Sequence, residues 1–218
     1  MFSIRSRVAR LWWWAWPRLE LRLGEHSEFG GFELIAVDHG LEDFAPMWFE
    51  KVRRALILIE TTAPHVARRL RKDVDRIVID GARGSGYIRS LRAIRLYAGT
   101  LQHFDTIRAA MTIVHEGTHA RIAARGIPYA ADQRGRQERL CVKAETRFAA
   151  RVPGGAEIAT GEMRKLQRRW WSDEAMAERR QNETERIRTI LLDDFDKNRR
   201  MQLPAVVARV LRRRIARD

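Results

Sequence analysis

The chain of 218 residues contains a single cysteine, Cys141, so it cannot form an intramolecular disulfide. No apolar run approaches the length needed to cross a bilayer, and this excludes a transmembrane helix. The sequence also has no internal repeat and no low-complexity segment. These absences are compatible with a globular protein in a reducing compartment, and we predict a cytoplasmic location.

The N-terminus lacks the features of a secretion signal. Basic residues precede an apolar run over Met1–Pro17, but that run is only six residues long and no small-residue cleavage site follows it. We treat residues 1–31 as a leader rich in tryptophan and arginine. Its tryptophans could lie at an anionic membrane surface or pack on the domain itself, and both alternatives stay open: Trp12, Trp13, Trp14 and Trp16.

Acidic residues are scarce relative to basic ones. The 28 acidic and 42 basic residues give a net charge of +14 and a pI near 11.1, which would suit nucleic acid, a membrane surface or an acidic substrate. The arginines, however, are spread along the chain among acidic residues, as on solvated helix faces. We therefore consider nucleic acid an unlikely partner.

The glycine-rich segment Gly81–Gly86 lacks the G-K-[ST] sequence of a phosphate-binding loop. It follows a predicted strand, Arg76–Asp80, and precedes Tyr87–Tyr97, which has an extended pattern. We interpret the glycines as a hairpin connection. With another strand at Phe32–Val37, these segments predict a small antiparallel sheet, whose exposed edge could hold an extended peptide substrate.

Helical patterns surround these strands. From Pro46 to Ile59 the apolar spacing predicts a helix, although Ala55–Ile59 could also form a buried strand. A short helix is expected over Pro64–Lys72. Two more amphipathic helices are predicted, one reaching Asp196 and one starting at Pro204.

We divide the chain after the leader into a main domain, 32–155, and a basic helical region, 156–218, that packs on it.

The sequence H-E-x-x-H occurs at His115–His119, inside a helix predicted from Thr106 to Arg125. Asp105 is suited to cap its start and Gly126 to end it. Histidines four residues apart lie on one helical face, where both can bind one metal ion, and Glu116 beside the first can act on a water molecule. The pattern predicts a zinc site.

A second helix, predicted over Arg134–Arg151, carries two carboxylates on an otherwise apolar face. Glu138, Cys141 and Glu145 fall at spacings of three and four. Because a buried carboxylate is costly unless it is paired or bound to a cation, these residues require a partner. An arginine could serve, but next to H-E-x-x-H a metal ion is favoured. Cys141 could be a thiolate ligand or only a small buried side chain.

His115-Glu116-Gly117-Thr118-His119, followed after eighteen residues by Glu138, resembles the gluzincins, the thermolysin-like branch of zinc metallopeptidases. The resemblance covers about residues 76 to 152. It implies an α+β fold, mainly helical and zincin-like, with the small sheet before the motif helix. It also implies one Zn²⁺ held by His115, His119 and Glu138, and hydrolysis of a peptide or protein by zinc-activated water with Glu116 as general base.

The sequence departs from the gluzincin pattern at Val142, where thermolysin-like enzymes have an aspartate that braces a histidine. Either the brace is unassigned, or Glu145 is the third ligand and Glu138 supports it. Both assignments stay open.

The oxyanion formed during hydrolysis needs a hydrogen-bond donor besides the metal. We predict Tyr129 for this role, with Arg134, Arg136 and His103 as further donors, although a loop tyrosine could equally pack on the core.

Two functions other than peptide hydrolysis remain open. One is a catalytically silent zincin-like scaffold, and the other is a basic protein that binds a membrane or nucleic acid and in which the motif is accidental.

Overall fold

A mixed sheet with helices packed on one face forms the described part of the protein. The structure, a computed structural model, describes residues 21–22, 24–37, 44–81 and 84–167. The tryptophan-rich N-terminus and the two helices predicted beyond Trp171 lie outside the described residues. Among the helices of the described ranges, none is long and apolar enough to cross a membrane.

The described strands lie in the order β1-β2-β3-β5-β4. Their bounds are β1 Glu25–Phe29, β2 Phe32–Val37, β3 Arg76–Asp80, β4 Gly86–Ile88 and β5 Ala93–Tyr97. The helices are α1 Ala45–Thr62, α2 Pro64–Asp73, α3 Ala98–Leu101, α4 Thr106–Ala124, α5 Arg134–Ala149 and α6 Ala156–Gln167. This is the α+β class that the sequence predicts, and β2 and β3 have the predicted bounds. Residues 55–59 belong to a helix, not to the alternative strand.

The prediction of an antiparallel sheet is wrong. β2 pairs with β3 and β3 with β5 in parallel, and only the outer strands β1 and β4 are antiparallel to their neighbours. The physical reason is the connection between β2 and β3, because α1 and α2 lie between them and such a helical crossover joins parallel strands. The sequence analysis predicted both helices but did not recognise that they would make β2 and β3 parallel.

The hairpin interpretation of the glycine-rich segment Gly81–Gly86 is wrong as well. β3 and β4 are not neighbours, because β5 lies between them. The segment instead leads to the edge of the sheet, and the chain returns into β5 through Arg92, which has a left-handed φ of 48°. A hairpin that the sequence analysis did not predict joins β1 to β2. There Gly30 and Gly31 adopt the positive φ values that a two-residue turn requires.

The larger hydrophobic core lies between the sheet and the helices. Alternate residues of the central strands face it, among them Leu34, Ile77 and Ile94, while Ile35 and Val78 point to the opposite face. From α4, Ile113 and Val114 enter this core. Gly117 allows α2 to approach α4, since an added Cβ would lie 2.1 Å from Cδ2 of Leu70. These contacts fix α4 beneath the sheet.

The start of α4 is fixed by the predicted cap. Oδ1 of Asp105 accepts a hydrogen bond of 2.7 Å from the backbone N–H of Arg108, and Oδ2 accepts one of 2.8 Å from the Arg108 guanidinium. At the other end, Gly126 has a φ of 78° and follows the helix as predicted.

Replacing the cap residue tests its contribution to stability. Asp105→Ala removes the acceptor for the backbone N–H and should lower the free energy of unfolding by about 1 kcal/mol. Asp105→Asn keeps an acceptor and loses only an exposed ion pair, so it should stay within about 0.5 kcal/mol of the native protein. Urea denaturation measures both. Equal losses in the two variants would show that the charge, not the cap, stabilises the helix.

Candidate metal centre

The motif histidines project from α4 toward α5, and these two helices pack directly on each other. The side chains of His115 and His119 are only 14% and 12% exposed, and their ring centroids are 5.2 Å apart. Their spacing of four residues places both on one side of α4. On α5, Glu138 lies opposite them and is 8% exposed.

Glu138 contacts both histidines. Its Oε2 lies 3.2 Å from Nε2 of His115, and its Oε1 lies 3.3 Å from Nε2 of His119. Hydrogen bonds between such charged groups are commonly about 2.7–2.9 Å long. Ligands bonded to a tetrahedral zinc ion at about 2.0–2.1 Å lie about 3.3 Å apart. The two separations from Glu138 are therefore close to a ligand-to-ligand distance as well as being within hydrogen-bond range, and histidine and glutamate are donor types that zinc accepts.

Glu145 contacts the other nitrogen of the same ring. Its Oε2 lies 3.2 Å from Nδ1 of His115. A carboxylate at Nδ1 accepts that N–H and leaves Nε2 with a free lone pair, which is the arrangement commonly found behind metal-binding histidines. Glu145 follows Glu138 by seven residues, two helical turns, so both carboxylates lie on one face of α5. In this geometry Glu145 occupies the bracing position for which Val142 has no suitable side chain.

The mutual positions of these groups shift their pKa values. Burial alone would lower the pKa of His115, but its hydrogen bonds to Glu138 and Glu145 outweigh burial and raise the pKa to about 10. Burial alone would raise the pKa of Glu138, yet hydrogen bonds to the two histidines hold it well below its usual range. Without metal the site therefore holds a proton on His115 near neutral pH. A metal ion must displace this proton in order to bind.

Glu116 lies buried beside the histidines and is 7% exposed. Burial raises the pKa of its carboxyl group, and the positive charges of His115 and His119 act in the opposite direction. No hydrogen bond joins its side chain to another described residue. A buried carboxylate with a raised pKa is suited to accept a proton near neutral pH.

Tyr129 lies at the rim of the site and is 44% exposed. Its hydroxyl donates a hydrogen bond to Oε1 of Glu138, and its ring meets that of His119 edge-on with centroids 5.4 Å apart. The guanidinium of Arg134 lies 4.8 Å from the centre of the Tyr129 ring. The loop tyrosine is thus brought to the site. Of the other predicted donors, Arg136 is exposed, and His103 forms a hydrogen bond with Gln102.

Sequence reasoning missed Gln137. Its side-chain amide donates a hydrogen bond of 2.7 Å to the backbone carbonyl of Pro128, which fixes the loop just before Tyr129. No motif marks this residue, and only its position next to Glu138 gave a signal.

Cys141 lies near the same histidines, since its sulfur and one nitrogen of each ring fall within 4.8 Å of one another. Burial raises the pKa of its thiol, with the nearby carboxylates acting in the same direction. A metal ion would have to displace a proton from Cys141, as it would from His115, in order to bind there. Glu138, whose carboxylate contacts both rings, is the other candidate for the third donor, and we favour it because its carboxylate is the group that reaches both Nε2 atoms.

Comparisons with protein-family models, with curated proteins and with solved structures found no match to this chain.

Substitution separates the roles of the two glutamates. Glu145→Ala removes the carboxylate that contacts Nδ1 of His115 and should weaken zinc binding by about 10- to 100-fold. Glu138→Ala removes a proposed zinc ligand and should weaken zinc binding more than Glu145→Ala does. Titration against a competing chelator measures both, with Glu157→Ala, an exposed residue of α6, as control. A larger loss for Glu145→Ala would make Glu145 the ligand.

Proposed function

We propose that the protein is a zinc-dependent metallopeptidase with a zincin-like fold. The observation that carries the proposal is the convergence of two histidine Nε2 atoms and the Glu138 carboxylate at 3.2 and 3.3 Å, with Glu116 buried beside them. A purely structural zinc site has no need of the additional carboxylate of Glu116. Three protein donors, with a fourth position left for water, are typical of catalytic zinc.

His115, His119 and Glu138 would hold the ion, and Glu145 would orient the His115 ring from behind. When bound, zinc supplies Lewis acidity that lowers the pKa of a water molecule and polarises the carbonyl of the scissile peptide. The surrounding chain keeps this chemistry in a largely dry site, because the two histidines and Glu138 are each less than 15% exposed.

Glu116 acts as the general base. Its carboxylate takes a proton from the attacking water and then delivers it to the nitrogen of the leaving amine. Burial, which raises its pKa, brings the group closer to the pH at which it must both accept and release a proton.

Tyr129 supplies a donor for the developing oxyanion. The residue is 44% exposed while its hydroxyl reaches Glu138, and the Arg134 guanidinium, 4.8 Å from the centre of its ring, stabilises its position. The hydroxyl that bonds to Glu138 in the described structure can turn toward a substrate carbonyl, because a phenol O–H rotates about its C–O bond.

The substrate class follows from the sheet. β4 is an edge strand, and within the described residues it pairs with β5 alone. It also contacts α4, which carries the motif. An extended peptide can add to such an edge through main-chain hydrogen bonds, which do not depend on its side chains. We therefore propose a peptide or unfolded protein segment as substrate, in the cytoplasm.

Replacement of Glu116, the proposed general base, tests the proposal. Glu116→Gln keeps the size of the side chain but cannot accept a proton, so it should retain zinc and lower peptide hydrolysis by about 10²- to 10⁴-fold. Cleavage of a mixed peptide library, read by mass spectrometry, measures the activity, and Glu157→Gln serves as control.

Two results would contradict the assignment. Hydrolysis at the native rate by Glu116→Gln would remove Glu116 from the mechanism. A native protein that holds zinc and cleaves no peptide of the library would instead be a silent scaffold.

A further inference from the structure

A cavity of about 220 Å³ lies between α2, α4 and α5, on a different side of α4 from the motif histidines. From α4 it is lined by Val114, Gly117, Thr118 and Arg121, whereas His115 and His119 face α5. The proposed zinc chemistry makes no use of this cavity. We call it the arginine pocket.

Four arginines line the arginine pocket. They come from α2, from α4, and from α5 and the turn after it: Arg69, Arg121, Arg147 and Arg151. Of its thirteen described lining residues none is acidic. The four guanidinium groups also form no ion pair and no hydrogen bond with another described residue. Charges of one sign are thus gathered from separate parts of the chain around one cavity, with Arg121 half-buried and Arg69, Arg147 and Arg151 exposed to solvent.

The electrostatic surroundings of Arg121 are consistent with this arrangement. Burial, and after it the positive charges of Arg69 and Arg125, lower the pKa of Arg121, and the carboxylate of Asp73 acts in the opposite direction. Arg121 remains protonated but is repelled by its neighbours. An anion in the pocket would relieve this repulsion, so the arrangement favours an anionic ligand.

The residues that line the arginine pocket indicate which kind of anion it can bind. Guanidinium groups donate paired hydrogen bonds in a planar fork that matches the oxygens of a phosphate, and several can surround one multiply charged group. Between them the pocket has apolar walls, including the buried side chains of Leu70, Val114 and Phe148. The walls thus suit a charged head next to an apolar portion.

We propose that the arginine pocket binds a phosphate-bearing ligand, whose phosphomonoester or pyrophosphate group contacts the arginines and whose apolar part contacts the pocket walls. The phosphate can belong to a soluble phosphorylated compound or to a phospholipid headgroup. The proposal is independent of zinc and of peptide hydrolysis.

The first experiment titrates pyrophosphate into the full-length protein by calorimetry at low ionic strength. The pocket variant combines Arg69→Gln and Arg147→Gln. The control combines Arg68→Gln and Lys143→Gln, which removes the same charge from exposed positions of the same helices outside the pocket. Native and control proteins should bind alike, and the pocket variant at least about tenfold more weakly. Absence of binding to the native protein, or equal binding by the two variants, would overturn the proposal.

The second experiment distinguishes the sources of phosphate. Vesicles of phosphatidylcholine, with and without phosphatidic acid, are sedimented with the same three proteins. Loss of binding to phosphatidic acid in the pocket variant alone assigns a lipid headgroup. Loss confined to pyrophosphate assigns a soluble ligand. If the pocket variant and the control behave alike in both assays, only the general positive charge binds anions and the pocket is not a site. Circular dichroism spectra and thermal unfolding midpoints that match those of the native protein show that both variants are folded.

Discussion

His115 and His119 of α4 meet Glu138 and Glu145 of α5 where the two helices pack, and their contacts offset the cost of removing these groups from water. A buried carboxylate or imidazolium without a partner costs several kcal/mol. Glu138 and Glu145 meet His115 from its two sides, and Glu138 reaches His119 as well. The same contacts that make burial tolerable bring together three side chains of the types that bind zinc. Stability and proposed function therefore depend on one interaction.

The remainder of the fold holds this helix pair in place. The parallel core of the sheet, with α1 and α2 packed on one face, provides the surface on which α4 lies. Gly117, inside the motif itself, lets Leu70 of α2 approach, while Asp105 defines where α4 begins. The edge strand β4 also lies against α4, the helix that carries the motif.

The local patterns of the sequence were sufficient to predict the longer helices and two strands, but not the short helix α3. Short-range rules such as the Asp105 cap, the Gly126 stop and the apolar spacing act within a few residues, and the structure follows them. The order and direction of the strands could not be predicted from these local patterns. β5 lies between β3 and β4 in the sheet, and this pairing depends on contacts between residues that are distant in the sequence. β1 was missed since its residues are mostly polar, as an edge strand allows.

In the candidate site, helical spacing predicted which side chains lie on the same face of a helix. It did not predict which carboxylate oxygen contacts which histidine nitrogen. It placed Glu138 and Glu145 together on α5, yet only the packing of α4 on α5 assigns Glu138 to both Nε2 atoms and Glu145 to Nδ1 of His115. The arginine pocket could not be predicted either. Its arginines lie far apart in the sequence and resemble the many other basic residues of the chain.

The central claim is that His115, His119 and Glu138 bind one zinc ion. X-ray absorption at the zinc edge of the purified full-length protein tests it most directly, because nitrogen and oxygen ligands lie at about 2.0–2.2 Å and sulfur at about 2.3 Å. We expect about one zinc per chain, with two imidazoles, further oxygen ligands and no sulfur. Protein that contains no zinc, or a sulfur ligand at the distance expected for Cys141, would contradict it.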